Sequence, residues 1–107
     1  MGPDAIDVEE LEELLGDETF LLDVRQPDEY QDSHVPGAVL MPLGELAARV
    51  AEVPAEGRVF VICHSGGRSR KATEALRSVG IDACNVVGGT QAWIDADKPI
   101  ASGPAPA

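Results

Sequence analysis

The segment Cys63-His64-Ser65-Gly66-Gly67-Arg68-Ser69 gathers the residue types in this chain best suited to covalent chemistry. A cysteine acts as a nucleophile through its thiolate, and a positive local potential raises the thiolate fraction at neutral pH. Gly66 and Gly67 let a loop curl until several N–H groups face one centre. Arg68 adds a permanent charge and a planar fork of donors. The segment therefore reads as a catalytic Cys63 with a substrate- or anion-binding loop of His64, Ser65, Gly66, Gly67, Arg68 and Ser69. A cysteine before a Gly-rich turn also reads as a small buried residue at a strand end. The loop by itself leaves both readings open.

The flanking elements favour the first. Val59-Phe60-Val61-Ile62 is the strongest strand signal in the chain. It is apolar without alternation and rich in β-branched types, as in a parallel strand buried on both faces. From Ser69 to Val79, the residues Ala72, Ala75, Leu76 and Val79 repeat at helical spacing. Arg70, Lys71, Glu74 and Arg77 fall on the wet side of that helix, where Glu74 can pair with Arg70 or Arg77. A cysteine between such a strand and such a helix faces the helix's unpaired first N–H groups and its dipole. These lower a thiol pKa from its usual value of about 8.5.

Elsewhere the pattern alternates in the same way. Asp7–Leu15 reads as a helix capped by Asp7 with Glu10 three residues on, and Phe20–Leu22 as a short strand ending at Asp23. Gln26 to Gly37 reads as a loop with one helical turn. Val39–Met41 reads as a strand and Leu43 to Val50 as an amphipathic helix. Ala83–Val87 reads as a strand and Thr90–Asp95 as a short helix. The order implies an α/β fold with a mainly parallel sheet and helices on both faces, in which sites lie at the carboxyl ends of strands. Residues 1–101 form one domain in this reading, and the small Pro-containing tail 102–107 is expected to fray.

The 107 residues carry 19 acidic and 8 basic side chains, a net charge of −11. That balance argues against nucleic acid and anionic membranes as partners. It also means that an anionic substrate needs a local positive site, which the loop supplies. No apolar run is long enough to span a bilayer and no signal peptide is visible, so a cytoplasmic location is expected. The two cysteines then remain thiols. Two cysteines and two histidines at these spacings make no convincing zinc site, and no metal or other cofactor is expected.

Three stretches together resemble the rhodanese family. Leu21-Leu22-Asp23-Val24-Arg25, followed by Glu29-Tyr30, His34 and Pro36-Gly37-Ala38, is similar to that family's first signature. Cys63 to Ser69 is similar to its active-site loop, and Gly88-Gly89 with Trp93 to its closing signature. Ser33 stands where the family usually has glycine. The resemblance implies a three-layer α/β/α domain and a sulfurtransferase of the thiosulfate sulfurtransferase (rhodanese) type. In it, Cys63 takes sulfane sulfur from a donor such as thiosulfate, holds it as a persulfide and yields it to cyanide or a thiol. The implied partners are small-molecule donors and acceptors, with a protein thiol as a further acceptor, and nothing requires more than a monomer.

Other readings are a cysteine-dependent phosphatase or arsenate reductase, and a sulfur-carrier or interaction module serving a partner enzyme. Cysteine phosphatases generally separate cysteine and arginine by five residues. Here four intervene, a ring better sized for sulfur than for phosphate. Asp23 and Arg25 read either as support for the site or as a structural ion pair bracing loops. His34 reads as a proton carrier or as a histidine satisfied by a backbone partner. Cys84 reads as a buried core residue or as a resolving thiol, and Trp93 as packing for the last helix.

Overall fold

A computed structural model of the chain describes residues 2–16 and 18–107. Among the described residues five strands form one sheet: β1 (Ala5–Ile6), β2 (Phe20–Asp23), β3 (Val39–Leu40), β4 (Arg58–Ile62) and β5 (Asp82–Val86), in the order β1-β5-β4-β2-β3. Every pairing is parallel. The helices are α1 (Val8–Leu14), α2 (Pro27–Asp32), α3 (Leu46–Arg49), α4 (Gly67–Ser78) and α5 (Gly89–Asp95).

Alternation along the strands divides the core in two. Leu21, Phe60, Ile62, Cys84 and Val86 face one side, where they pack with Leu11 of α1, Tyr30 of α2 and Trp93 of α5. Leu22, Val59, Val61 and Ala83 face the other, against Leu46 of α3 and Ala72 and Leu76 of α4. The result is the expected three-layer α/β/α arrangement. Cys63 continues the parity of Val59 and Val61 and belongs to the α4 side. The pleat of β4 thus aims the thiol at the start of the following helix.

The structure departs from the sequence reading at several points. The edge strand β1 had no counterpart in that reading, because two residues carry no periodic signal. The turn expected within 26–37 is a six-residue helix. Pro27 opens it, and the Gln26 N–H donates to the Glu29 carboxylate. The helix expected over 43–50 is broken into 3₁₀ turns at Leu43–Glu45 and Val50–Glu52 around a four-residue α3. Helix α4 begins two residues earlier than the apolar pattern indicates, because its first turn is made by Gly67 and Arg68 rather than by core residues. Asp7 caps α1 as expected, accepting the Glu10 N–H at 2.9 Å.

The tail, expected to fray, has main-chain partners. Gly103 N–H donates to the Gln31 carbonyl at 2.8 Å, and Gly37 N–H donates to the Pro106 carbonyl at 2.9 Å. No helix among the described residues is long and apolar enough to cross a membrane.

Candidate active site

The loop between β4 and α4 wraps the Cys63 sulfur in donors. Sγ accepts the Gly66 N–H at 3.1 Å and the Ser69 hydroxyl at 3.3 Å. Gly66 has φ +114°, a conformation that L side chains rarely adopt, and this bends the chain back over the sulfur. Burial alone raises the thiol pKa. The Ser69 hydroxyl and the amides of Ser69, Gly66 and Ser65 outweigh it, and the net displacement is downward. The site therefore favours a thiolate and offers N–H and O–H groups to a sulfur anion bound there. Cys63 is only 1% exposed, so it lies beneath the loop rather than on the surface.

A second layer of contacts holds the loop in that shape. At the start of α5, the Thr90 N–H donates to the Cys63 carbonyl at 2.8 Å and the Gln91 N–H to the His64 carbonyl at 3.0 Å. With these carbonyls bound by α5, the loop's amides are left to face the sulfur. The approach is so close that a Cβ on Gly89 would lie 2.5 Å from the Cys63 oxygen, and Gly89 also sits at φ +59°. Gly89 is thus a steric requirement of the loop around Cys63. On the other side, Asn85 Oδ1 in β5 lies 2.5 Å from Ser69 Oγ as an alternative acceptor for the single hydroxyl proton, which a charged sulfur draws to itself, and Asn85 Nδ2 donates to the Gly66 carbonyl at 3.4 Å. The sequence reading missed Asn85. Its signal was a lone amide within the apolar run Ala83–Val87.

Arg68 does not extend its charge to the sulfur unopposed. Its two Nη groups form a bidentate pair with Glu29 of α2, at 2.6 and 2.9 Å. That pair holds the Glu29 carboxyl down to about 2. Glu29 entered the reading only as part of a signature, since nothing in its own neighbourhood of the sequence points to a partner at position 68. His64, Ser65 and Gly67 are exposed on the loop's outer surface. A cavity of about 600 Å³ adjoins it, lined by Ser65, Gly66, Gly67, Asn85, Arg70 and Arg77 among others.

Asp23 and Arg25 are buried and bind each other. The Arg25 guanidinium donates to both Asp23 oxygens at 2.9–3.2 Å and to the Ser33 carbonyl at 2.8 Å. They brace the β2 end and the following loop. His34 is fully buried, stacked on Tyr30 at 3.8 Å, with Nδ1 against the Tyr30 carbonyl and Nε2 against the Pro106 carbonyl. Cys84 faces the opposite side of the sheet from Cys63, in the Trp93 cluster, and burial pushes its thiol pKa up. Trp93 is buried there, its indole N–H donating to the Pro99 carbonyl at 2.6 Å.

A thiolate cradle at the carboxyl end of a central parallel strand, closed by two glycine-dependent turns, defines the class. The chain belongs to the rhodanese-like family: the model of the rhodanese-like domain matches residues 7–96. It is similar to a sulfurtransferase of Allochromatium vinosum, with 34% identity over 98 residues covering 89% of this chain and 92% of that one. It is 40% identical over 74 residues to a Bacillus subtilis protein named for a sulfur-carrier role; the match covers 68% of this chain but only 40% of that longer relative. Among solved structures it resembles a rhodanese-related protein from Thermoplasma volcanium, with TM-score 0.86, 30% identity, and coverage of 91% and 96%.

Proposed function

We propose that this chain is a sulfurtransferase that carries sulfane sulfur as a persulfide on Cys63. The observation that carries the reading is the pair of donors on Sγ, the Gly66 N–H and the Ser69 hydroxyl, at the end of β4. The Cys63 thiolate attacks the outer sulfur of a donor such as thiosulfate. The S–S bond of the donor breaks, sulfite leaves with the bonding pair, and Cys63 retains the sulfur as a persulfide anion. A thiophilic acceptor, cyanide or a thiol, then attacks the terminal sulfur and returns Cys63 as thiolate. No net oxidation occurs and no cofactor is required. The loop amides of His64 to Ser69 stabilise both thiolate and persulfide.

The phosphatase and arsenate reductase reading fares worse on this geometry. It needs a carboxylic acid near the loop to protonate a leaving group, and the nearby carboxyl groups Asp23 and Glu29 are each engaged by an arginine. A sulfur-carrier role for a partner protein uses the same persulfide and differs only in the acceptor. It is favoured by the similarity to the longer sulfur-carrier relative.

Incubation with thiosulfate, followed by intact-mass measurement, should show Cys63 heavier by one sulfur atom and restored by cyanide. Absence of the adduct on a folded chain, with every donor tried, would overturn the reading. Hydrolysis of a phosphate ester that depends on Cys63 would restore the phosphatase alternative.

A further inference from the structure

The sequence reading assigns Arg68 to the binding of an anionic donor. The structure shows that its guanidinium already has an anion. Glu29 occupies two of its nitrogens with both carboxylate oxygens, at 2.6 and 2.9 Å. The second arginine of this region, Arg25, is likewise held by both oxygens of Asp23 and by the Ser33 carbonyl. On α4, Arg70 stands 3.9 Å from Glu74. The chain as a whole carries a net charge of −11. Arg70 and Arg77 line the outer cavity beside the loop, Arg77 standing 3.7 Å from Asp82. The groups in contact with the sulfur itself are the Gly66 N–H and the Ser69 hydroxyl, and these are suited to one sulfur atom rather than to a dianion.

We propose that Glu29 is a specificity-determining residue which, by binding both forks of Arg68, withdraws the loop's own cation from the donor and sets the site for neutral or monoanionic persulfides in preference to dianionic donors such as thiosulfate. The proposal rests on the sulfur-transfer reading above. Reaction with thiosulfate brings a dianion against a thiolate, three negative charges in one small space. Reaction with an alkyl persulfide, R–S–SH or R–S–S⁻, brings one or two. In that step the Cys63 thiolate attacks the outer sulfur and the donor's S–S bond breaks. R–S⁻ leaves with the bonding pair and takes up a proton, while Cys63 keeps the sulfur. The low pKa of Glu29 keeps its carboxylate charged throughout the working range. The neutralisation of Arg68 is then permanent rather than pH-gated.

The test compares loading of Cys63 by thiosulfate and by the persulfide of 2-mercaptoethanol, followed by mass, in the unaltered chain and in Glu29→Gln. Removing the carboxylate charge while keeping a hydrogen-bonding side chain should raise the thiosulfate-to-persulfide rate ratio about fivefold, the equivalent of about 1 kcal/mol expected when one unit charge near a hydrated site is removed. The unaltered chain supplies an independent measurement. Between about 20 and about 200 mM KCl, thiosulfate loading should speed up, because screening relieves repulsion, and the acceleration should shrink in Glu29→Gln. A ratio that stays the same or falls in Glu29→Gln would overturn the proposal, as would thiosulfate loading of the unaltered chain that slows with salt. If both rates drop together in a variant with an unchanged salt response, Glu29 is only a brace for the loop and the proposal also fails. Loading by neither donor would instead defeat the sulfur-transfer reading itself.

Discussion

At the scale of single residues, the decisive object is the Cys63 sulfur and the donors around it. The Gly66 N–H is a main-chain group that substitution does not remove, whereas the Ser69 hydroxyl can be deleted. A hydrogen bond to a charged group contributes about 1.5–3 kcal/mol, so Ser69→Ala should slow persulfide loading at neutral pH by roughly tenfold or more. The thiolate's pH dependence gives the sign. Because the folded environment lowers the thiol pKa, alkylation of Cys63 by iodoacetamide should reach half its maximum at a lower pH than for an ordinary cysteine. In Ser69→Ala the midpoint should move upward, and an unmoved midpoint would remove Ser69 from the cradle. Cys63→Ser should abolish sulfur transfer. The thiol is buried rather than at an exposed loop position, and the hydroxyl that replaces it finds the same two donors, so the fold should persist by circular dichroism.

At the scale of elements, the active loop is shaped by α5 as much as by α4. Gly89 allows the first turn of α5 to approach until its N–H groups bind the Cys63 and His64 carbonyls. Gly89→Ala forces a methyl group to within 2.5 Å of the Cys63 carbonyl oxygen and places a side chain at φ +59°. The expected cost is at least about 2 kcal/mol in a urea titration, together with loss of most loading activity. A variant with unchanged stability and full activity would show that the α5 contact is dispensable. Deleting one member of the buried Asp23–Arg25 pair leaves an unpaired charge in the core, so Arg25→Met should cost about 3 kcal/mol or more. The same change should leave the donor preference of the folded fraction intact, in contrast to Glu29→Gln.

At the scale of the whole molecule, the sheet itself separates the two thiols. Cys63 and Cys84 belong to opposite core layers, so a disulfide between them would have to pass through β4 and β5. Cys84→Ala should therefore keep most turnover and cost about 1 kcal/mol of packing. Complete loss of turnover would make Cys84 a participant after all. The cross-layer pair Glu29–Arg68 also links α2 to α4 energetically. The Glu29 pKa falls from 4.5 to about 2 on folding. Its contribution is therefore complete above the unfolded value and is lost as pH falls through the folded one. Both side chains are about one-third exposed, which limits that contribution to about 1 kcal/mol. The stability difference between the unaltered chain and Glu29→Gln should therefore shrink between about pH 6 and about pH 3 in urea titrations.

Much of this was legible along the chain, for local reasons. Val59–Ile62 declared a strand buried on both faces, Ala72, Leu76 and their neighbours declared the helix after it, and the two together placed Cys63 at a helix N-terminus. The paired glycines at 66–67 and 88–89 marked turns. Periodicity and turn chemistry are properties of adjacent residues, so the sequence carries them directly. What the tertiary structure decided lay between residues far apart in the chain. Glu29 meets Arg68 across 39 positions, and Asn85 reaches Ser69 across 16. The two-residue strand β1 exists only because β5 offers it a parallel edge. The sequence by itself determined that a cysteine sits in a glycine-rich loop between a buried strand and a helix. Only the folded chain decided that the arginine beside it is already neutralised, because an ion pair depends on distance in space, which spacing along the chain does not encode.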